Sequence, residues 1–416
     1  MDELNLEAVI LDQTSMIKEI DLGYPRDAIK SAEQILKAKA NIVVTGHRRA
    51  GKSTFLLQLM NLHFKNSFYY INFGDERLID FETKDFQKLY EILLKHFGQK
   101  KVFLFDEIQG KKGWDRFVAR MYETGNRFFI TGSNAFLLSK EISTYLTGRH
   151  LDIEIYPFSF KEYTKYKNFE EDVLITKGKA KALKLFDEYI IFGGFPEVVT
   201  SKSTQILSTI YEDILNKDIL GRYDVDEMAI KKIALFLISN FGNEISYNSI
   251  KNSFNLGSTN TAKKYVSFIT NTYLISELPK FSYSTKEQPY SKKVYCIDTG
   301  MINKMAFTAT ENKGRLLENL VHTELKRRKK QFFYWKSATG KEVDFLIIEK
   351  GKPLEAIQVC YSLNNQNTTR EITPLNEAIK ELKINKTTIL TYNQEKTIKE
   401  KNQTIQVVPA WKWLLE

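Results

Sequence analysis

Cysteine is scarce: Cys296 and Cys360 are the only two in 416 residues, which excludes a disulfide framework and a cysteine zinc site. The five histidines, at positions 47, 63, 96, 150 and 322, show no ligand spacing. No apolar run approaches the roughly 20 residues that a spanning helix needs. The start, Met1-Asp-Glu-Leu-Asn5, lacks the basic and apolar stretches of a secretory signal. The expectation is a cytoplasmic protein with no membrane partner. Long repeats and low-complexity segments are missing too, and 43% hydrophobic with 27% charged residues excludes disorder. A length of 416 residues suits two or three domains. The net charge of +10 permits attraction to nucleic acid or to an anionic surface without choosing between them.

What is present is sharper. Residues 46 to 53 read Gly-His-Arg-Arg-Ala-Gly-Lys-Ser, after the apolar run Asn41–Thr45 and before the amphipathic stretch from Thr54. Strand, glycine-rich loop and helix in that order form a phosphate cradle. Backbone N–H groups of Gly46, His47, Arg48, Arg49, Ala50 and Gly51 can turn inward, the helix starting near Thr54 adds its positive end, Lys52 reaches the β and γ phosphates, and Ser53 can hold Mg²⁺. The expected ligands are ATP or ADP with Mg²⁺, although no residue fixes adenine over guanine. Some fifty residues on, Lys101-Val-Phe-Leu-Phe105 delivers Asp106 and Glu107. Asp106 is expected to orient the metal through Ser53 and water, and Glu107 to polarise the attacking water. Ser133 and Asn134, after the run Arg127–Thr131, suit a γ-phosphate sensor or a simple turn. Arg149 suits a charge-neutralising arginine, acting in its own chain or on a neighbour, or a plain surface residue.

Five strand-like runs between residues 41 and 157 alternate with helical patterns, which predicts a doubly wound α/β parallel sheet. Residues 1 to about 40 read as an extended lead-in and one helix, Ala28–Ala40. The expected domains are a P-loop sheet domain over 1–157, a helical lid over 158–225, a winged helix-turn-helix over 226–288, and a mixed α/β domain over 289–416. In the third, Thr259–Asn271 is the candidate recognition helix, presenting Ser258, Thr259, Asn260, Lys263 and Lys264. Double-stranded DNA is one expected partner; the same fold also serves to dock proteins.

Taken together, the sequence resembles the prokaryotic AAA-type ATPases, most familiar from archaea and related to STAND-like P-loop ATPases, that carry a C-terminal domain of unknown function with a nuclease-like core. The resemblance rests on Tyr24-Pro-Arg-Asp27, Gly46–Thr54, Tyr70-Ile-Asn-Phe-Gly-Asp75, Phe105-Asp-Glu-Ile-Gln109 with Trp114, and Thr131-Gly-Ser-Asn134. It continues through Leu146-Thr-Gly-Arg149, Tyr156-Pro-Phe-Ser-Phe160, Gly193-Gly-Phe-Pro196, Leu317-Glu-Asn319, Glu342-Val-Asp-Phe345 and Ile357-Gln-Val-Cys360.

That resemblance implies a PD-(D/E)XK, restriction-endonuclease-like fold at the C-terminal end. Such enzymes set a helix glutamate, a strand aspartate and an E-x-K tripeptide around Mg²⁺. Here Glu318 and Asp344 match the first two, but the tripeptide falls on Gln358-Val-Cys360. Glutamine is a poorer ligand for a hard cation and cysteine supplies no ammonium, so the site reads as degenerate and the domain as a protein-docking or nucleic-acid-reading module. The expectation is an ATPase whose nucleotide state moves the lid and winged helix and so switches a partner's affinity. The alternatives are a non-hydrolysing nucleotide switch and, less favoured, an ATP-dependent nuclease. A homo-oligomer is compatible with either.

Overall fold

Short apolar runs and amphipathic helices alternate through the first third of the chain, and in the computed structural model they close into one sheet. The structure describes residues 1–65, 67–132, 146–283, 292–307, 312–400 and 403–416. It divides into two compact units, Met1–Ile155 and Tyr156–Glu416.

The first unit runs α1 (Glu3–Met16), α2 (Ala28–Leu36), β1 (Asn41–Gly46), α3 (Lys52–His63), β2 (Tyr69–Asn72), α4 (Asp85–Phe97), β3 (Val102–Asp106), α5 (Trp114–Glu123), β4 (Arg127–Thr131) and β5 (His150–Ile155). The strands lie in the order β2-β3-β4-β1-β5, every neighbouring pair parallel. Alternation along β1 explains the two covered faces. Ile42 and Val44 pack with Phe55, Leu56 and Met60 of α3, whereas Val43 joins Phe103, Phe105 and Phe128 against Phe86 and Phe117 from α4 and α5. Phe103 and Phe128 stack at 4.7 Å between centroids.

The lead-in expected to be extended begins instead with α1. Asp2 caps it by accepting from the Asn5 amide, and Leu6, Val9 and Ile10 bury one face. Gln13 then tethers it to the sheet edge: its amide nitrogen donates to the Asn72 carbonyl at 3.0 Å, and its oxygen accepts from the Asn72 N–H at 2.9 Å. That side chain covers backbone groups an edge strand would leave open. The acidic strand β3 and the loop strand β1 are separated by β4.

The second unit opens with α6 (Phe160–Tyr166), α7 (Thr176–Phe192), α8 (Pro196–Ser201) and α9 (Gln205–Asp213), the last running into a π-helical turn, Ile214–Leu220. It continues with α10 (Glu227–Ser239), β6 (Glu244–Ile245), α11 (Tyr247–Ser253), α12 (Thr259–Asn271), β7 (Ile275–Pro279), β8 (Lys292–Cys296) and α13 (Thr299–Met305). The three strands form an antiparallel sheet in the order β6-β8-β7. The expected boundary at 225/226 does not separate two cores: Leu207, Ile210 and Ile214 share one apolar cluster with Ile233, Leu237, Ile269 and Val294. The boundary at 288/289 falls inside a β pairing, because β7 bonds to β8 across it. Gly193 shows why the Gly-Gly-Phe-Pro string is fixed. At φ +74° a Cβ there would stand 1.9 Å from an Asp298 oxygen, and the same carboxylate accepts from the Gly194 N–H at 2.7 Å.

The remainder is α14 (Lys313–Arg327), β9 (Gln331–Lys336), β10 (Glu342–Glu349), β11 (Lys352–Val359), α15 (Thr368–Leu382), β12 (Lys386–Thr391), β13 (Lys396–Glu400), β14 (Gln403–Pro409) and α16 (Ala410–Leu415). Its sheet runs β13-β14-β12-β11-β10-β9, with β9, β10 and β11 antiparallel and α15 carrying the chain over to β12, parallel to β11. The helix α15 begins at Thr368 and includes Pro374.

Candidate functional site

The carboxyl ends of β1, β3 and β4 meet at one edge of the parallel sheet, and the candidate residues cluster there. Gly46 ends β1 at φ +131°, and a Cβ on it would lie 2.1 Å from the Ile155 carbonyl of β5. The loop then turns through Arg49 at φ 61° and Gly51 at φ 90°, and Gly51 precedes the first residue of α3. His47 and Ala50 are buried while Arg49 is exposed and Arg48, Gly51, Ser53 and Thr54 are half-buried. The buried Lys52 ammonium donates to the carbonyls of Gly46, at 3.1 Å, and His47, at 3.0 Å. It is thus poised over the loop it would share with an anion.

Asp106 ends β3 opposite this loop. Its Oδ1 accepts from the Ser53 hydroxyl at 2.9 Å and from the Thr131 hydroxyl, and its Oδ2 from Tyr70 at 3.4 Å. Burial raises the Asp106 carboxyl above the usual carboxylate range, and the Thr131 and Ser53 hydroxyls oppose that rise. The next residue, Glu107, stands at φ 52°, a left-handed conformation uncommon for a non-glycine residue. Its N–H donates to the Thr131 hydroxyl at 2.9 Å, and its carboxylate accepts from the Gln109 amide. Thr131 therefore orients both acidic residues at once, a role the sequence reading did not assign.

A second unassigned residue braces the loop from outside. Arg26, buried before α2, donates from Nη1 to the Ala50 carbonyl at 2.8 Å, and its N–H reaches Gln58 Oε1 on α3 at 3.2 Å. Gln58 in turn donates to the carbonyls of Leu22 and Tyr24. The Tyr24-Pro-Arg-Asp string is in this way a clamp between lead-in, loop and α3.

Ser133 and Asn134 lie outside the described residues. Arg149 directly precedes β5, where its carbonyl accepts from the Asn41 N–H at 2.9 Å and its guanidinium pairs with Glu123 at 2.7 Å. That is the amino edge of the sheet, and the five steps of β1 from Asn41 to Gly46 put it about 16 Å from the loop. Neutralising phosphate charge in its own chain is corrected by this geometry: a parallel strand pair cannot bring its first residues to its last.

In the second unit, Glu318 on α14 and Asp344 on β10 face the same lysine. Lys293 of β8, 5% exposed, places its ammonium 3.0 Å from Glu318, 2.6 Å from Glu342 and 3.5 Å from Asp344. Tyr295, two residues along the same strand, donates to Glu318 at 2.6 Å. Asp344 also accepts the Val359 N–H at 2.8 Å. Burial and the nearby Glu318 charge raise the Asp344 carboxyl, with Lys293 opposing. Burial pulls the Lys293 ammonium the other way, yet the three carboxylates win and hold it above its ordinary value. Gln358 donates to Glu371 of α15 at 3.0 Å, and burial pushes the Cys360 thiol up to about 12. At the end of α14, Arg327 and Arg328 both pair with Glu324, and Arg328 lies 4.2 Å over the Trp413 ring.

Residues 38–164 match the family described as AAA domain, while 183–312 and 313–413 match two domains of unknown function, DUF8612 and DUF4143. The uncharacterized protein MJ1544 of Methanocaldococcus jannaschii is 41% identical over 429 residues, covering 98% of this chain and 95% of that protein. An uncharacterized protein of Haemophilus influenzae is 32% identical, covering 90% of this chain and 94% of its own length. Among solved structures, the Aeropyrum pernix ORC2 protein in its ADPNP–ADP complexes aligns at 12% identity and a TM-score of 0.39, over 74% of this chain and 98% of that one.

Proposed function

The chain belongs to the same family as MJ1544 of Methanocaldococcus jannaschii, with an AAA domain over residues 38–164, and from that premise we propose that it is an ATP-binding, Mg²⁺-dependent ATPase whose nucleotide state is read out by its second unit. The observation that carries this reading is the meeting of Lys52, Ser53 and Asp106 at one sheet edge, with the Ser53–Asp106 bond in place at 2.9 Å. These residues fit a metal-bound triphosphate: Lys52 and the loop N–H groups would take the phosphates, and Ser53 and Asp106 would hold the cation. Mg²⁺ when bound supplies charge neutralisation at the transferring phosphoryl group. Glu107 is the base: its carboxylate, aimed by Gln109 and by the Thr131–backbone bond, accepts the proton of the attacking water.

Arg26 sets the affinity of this cradle from behind. Arg26→Ala leaves the Ala50 carbonyl without its buried donor and frees the loop, so ATP should bind about tenfold more weakly, equivalent to about 1.4 kcal/mol. Turnover at saturation should change little, because Arg26 bonds to the loop's backbone. Calorimetric titration alongside steady-state phosphate release checks both; an unaltered Kd refutes the clamp.

In the second unit, α10, β6, α11, α12, β7 and β8 follow the helix–strand–helix–helix–strand–strand order of a winged helix-turn-helix. Thr259, Asn260, Lys263 and Lys264 are exposed on α12, which suits phosphate and base-edge contact. Nucleotide binding is proposed to shift this module between states of different affinity for double-stranded DNA. Fluorescence anisotropy with a DNA duplex, at fixed salt, should give Kd values that differ at least about fivefold between ATP-bound and nucleotide-free protein. Equal values would end the coupling while leaving hydrolysis standing.

A further inference from the structure

A nuclease of the kind that the C-terminal sequence resembles holds Mg²⁺ between its helix glutamate and strand aspartate, and Mg²⁺ takes near-octahedral oxygen ligands at about 2.0–2.1 Å. The residues here do not fit that ion. The Lys293 ammonium stands within 3.0 Å of both Glu318 and Glu342 and 3.5 Å of Asp344, using the charge and the oxygens a metal would need. The second oxygen of Asp344 is taken by the Val359 N–H, and Glu318 Oε1 is shared with the Tyr295 hydroxyl. Gln358, at the position of the third ligand, is engaged with the Asp344 N–H and Glu371. Among the described residues, no group of three or more His, Cys, Asp or Glu side chains is placed to hold a metal ion.

Lys293 comes from the three-stranded sheet of the helix-turn-helix module, whereas its partners sit on α14 and β10. A second lysine makes the reverse crossing: Lys336 of β9 pairs with Glu244 of β6 and, at 3.3 Å, with Glu342. Between the two, Asn319 of α14 accepts from the Cys296 N–H at 2.9 Å and donates to the Cys296 carbonyl at 2.8 Å. All three ties join the same two sets of elements.

We propose that Lys293 is the resident cation of this carboxylate cluster, and that the cluster is an ionic joint fastening the β6-β8-β7 sheet to the C-terminal sheet instead of a hydrolytic metal centre. Tyr295 and Lys293, on the same face of β8, act as one prong. Removing the ammonium leaves buried carboxylates uncompensated, which destabilises far more than replacing the whole set with neutral groups.

Two measurements on the full-length, nucleotide-free protein test this. Mn²⁺ titrations followed by electron paramagnetic resonance should be the same for the wild type and Asp344→Asn; a Mn²⁺ site present in the first and missing in the second overturns the proposal. Lys293→Met should lower the Tm by about 10 °C or prevent folding. Lys293→Met combined with Glu318→Gln and Asp344→Asn should recover at least about half of that loss. A Lys293→Met protein as stable as the wild type, or no recovery in the triple variant, would overturn it. Neither result bears on ATP hydrolysis, so this joint and the ATPase reading fail separately.

Discussion

Lys52→Ala is expected to cripple ATP binding, weakening it by at least about thirtyfold. The ammonium is buried and bonded to the first two carbonyls of the loop, so it has been desolvated before any ligand arrives. Truncating one partner of a desolvated charge pair characteristically loses 2–5 kcal/mol, roughly a thirtyfold to several-thousandfold change. Alanine also removes the ammonium bonds to the Gly46 and His47 carbonyls, which loosens the empty loop. Isothermal titration with MgATP on variant protein with an unchanged circular dichroism spectrum is the measurement. Heat like that of the wild type would remove the cradle as the nucleotide site, and with it the proposed activity.

Glu107→Gln should separate binding from chemistry. Glutamine keeps the length of the side chain and leaves the backbone bond to Thr131 untouched, so the Kd for ATP should stay within about threefold. It cannot accept the proton of water, and loss of a positioned general base lowers turnover by about 10²–10⁴-fold. Steady-state phosphate release measures the second effect and titration the first. Turnover equal to the wild type would take Glu107 out of the base role and shift attention to a water held by other groups. Thr131→Val in parallel would reveal how much of the effect depends on aim, since Thr131 bonds to both Asp106 and the Glu107 backbone.

The parallel sheet was legible because its strands are short, continuous apolar runs with helices between them, and such runs have few alternatives. The cradle was legible for a different reason: glycines, a lysine and a hydroxyl at fixed spacing are local chemistry, readable without tertiary contacts. What escaped was set at a distance along the chain. Lys293 and Glu318 are 25 residues apart and meet only because β8 and α14 pack together. Arg26 reaches a carbonyl 24 residues on. In the sequence each is one charged residue among many, and its burial gives no local signal. The missed α1 differs, because Leu6, Val9, Ile10 and Gln13 stand at helical spacing behind an Asp cap. Its pattern was present but short, and the glutamine in its buried face diluted it. The polar face-bearer there is the residue that bonds to the sheet edge, so the feature that blurred the helix is the one that docks it.

The close approach at Gly46 has a genetic consequence. A side chain there would collide with the main-chain oxygen of residue 155, an atom that every amino acid carries. Trimming the side chain of Ile155 would not open the space, so revertants of a Gly46 substitution should recover function by restoring glycine and not by a compensating change at its neighbour.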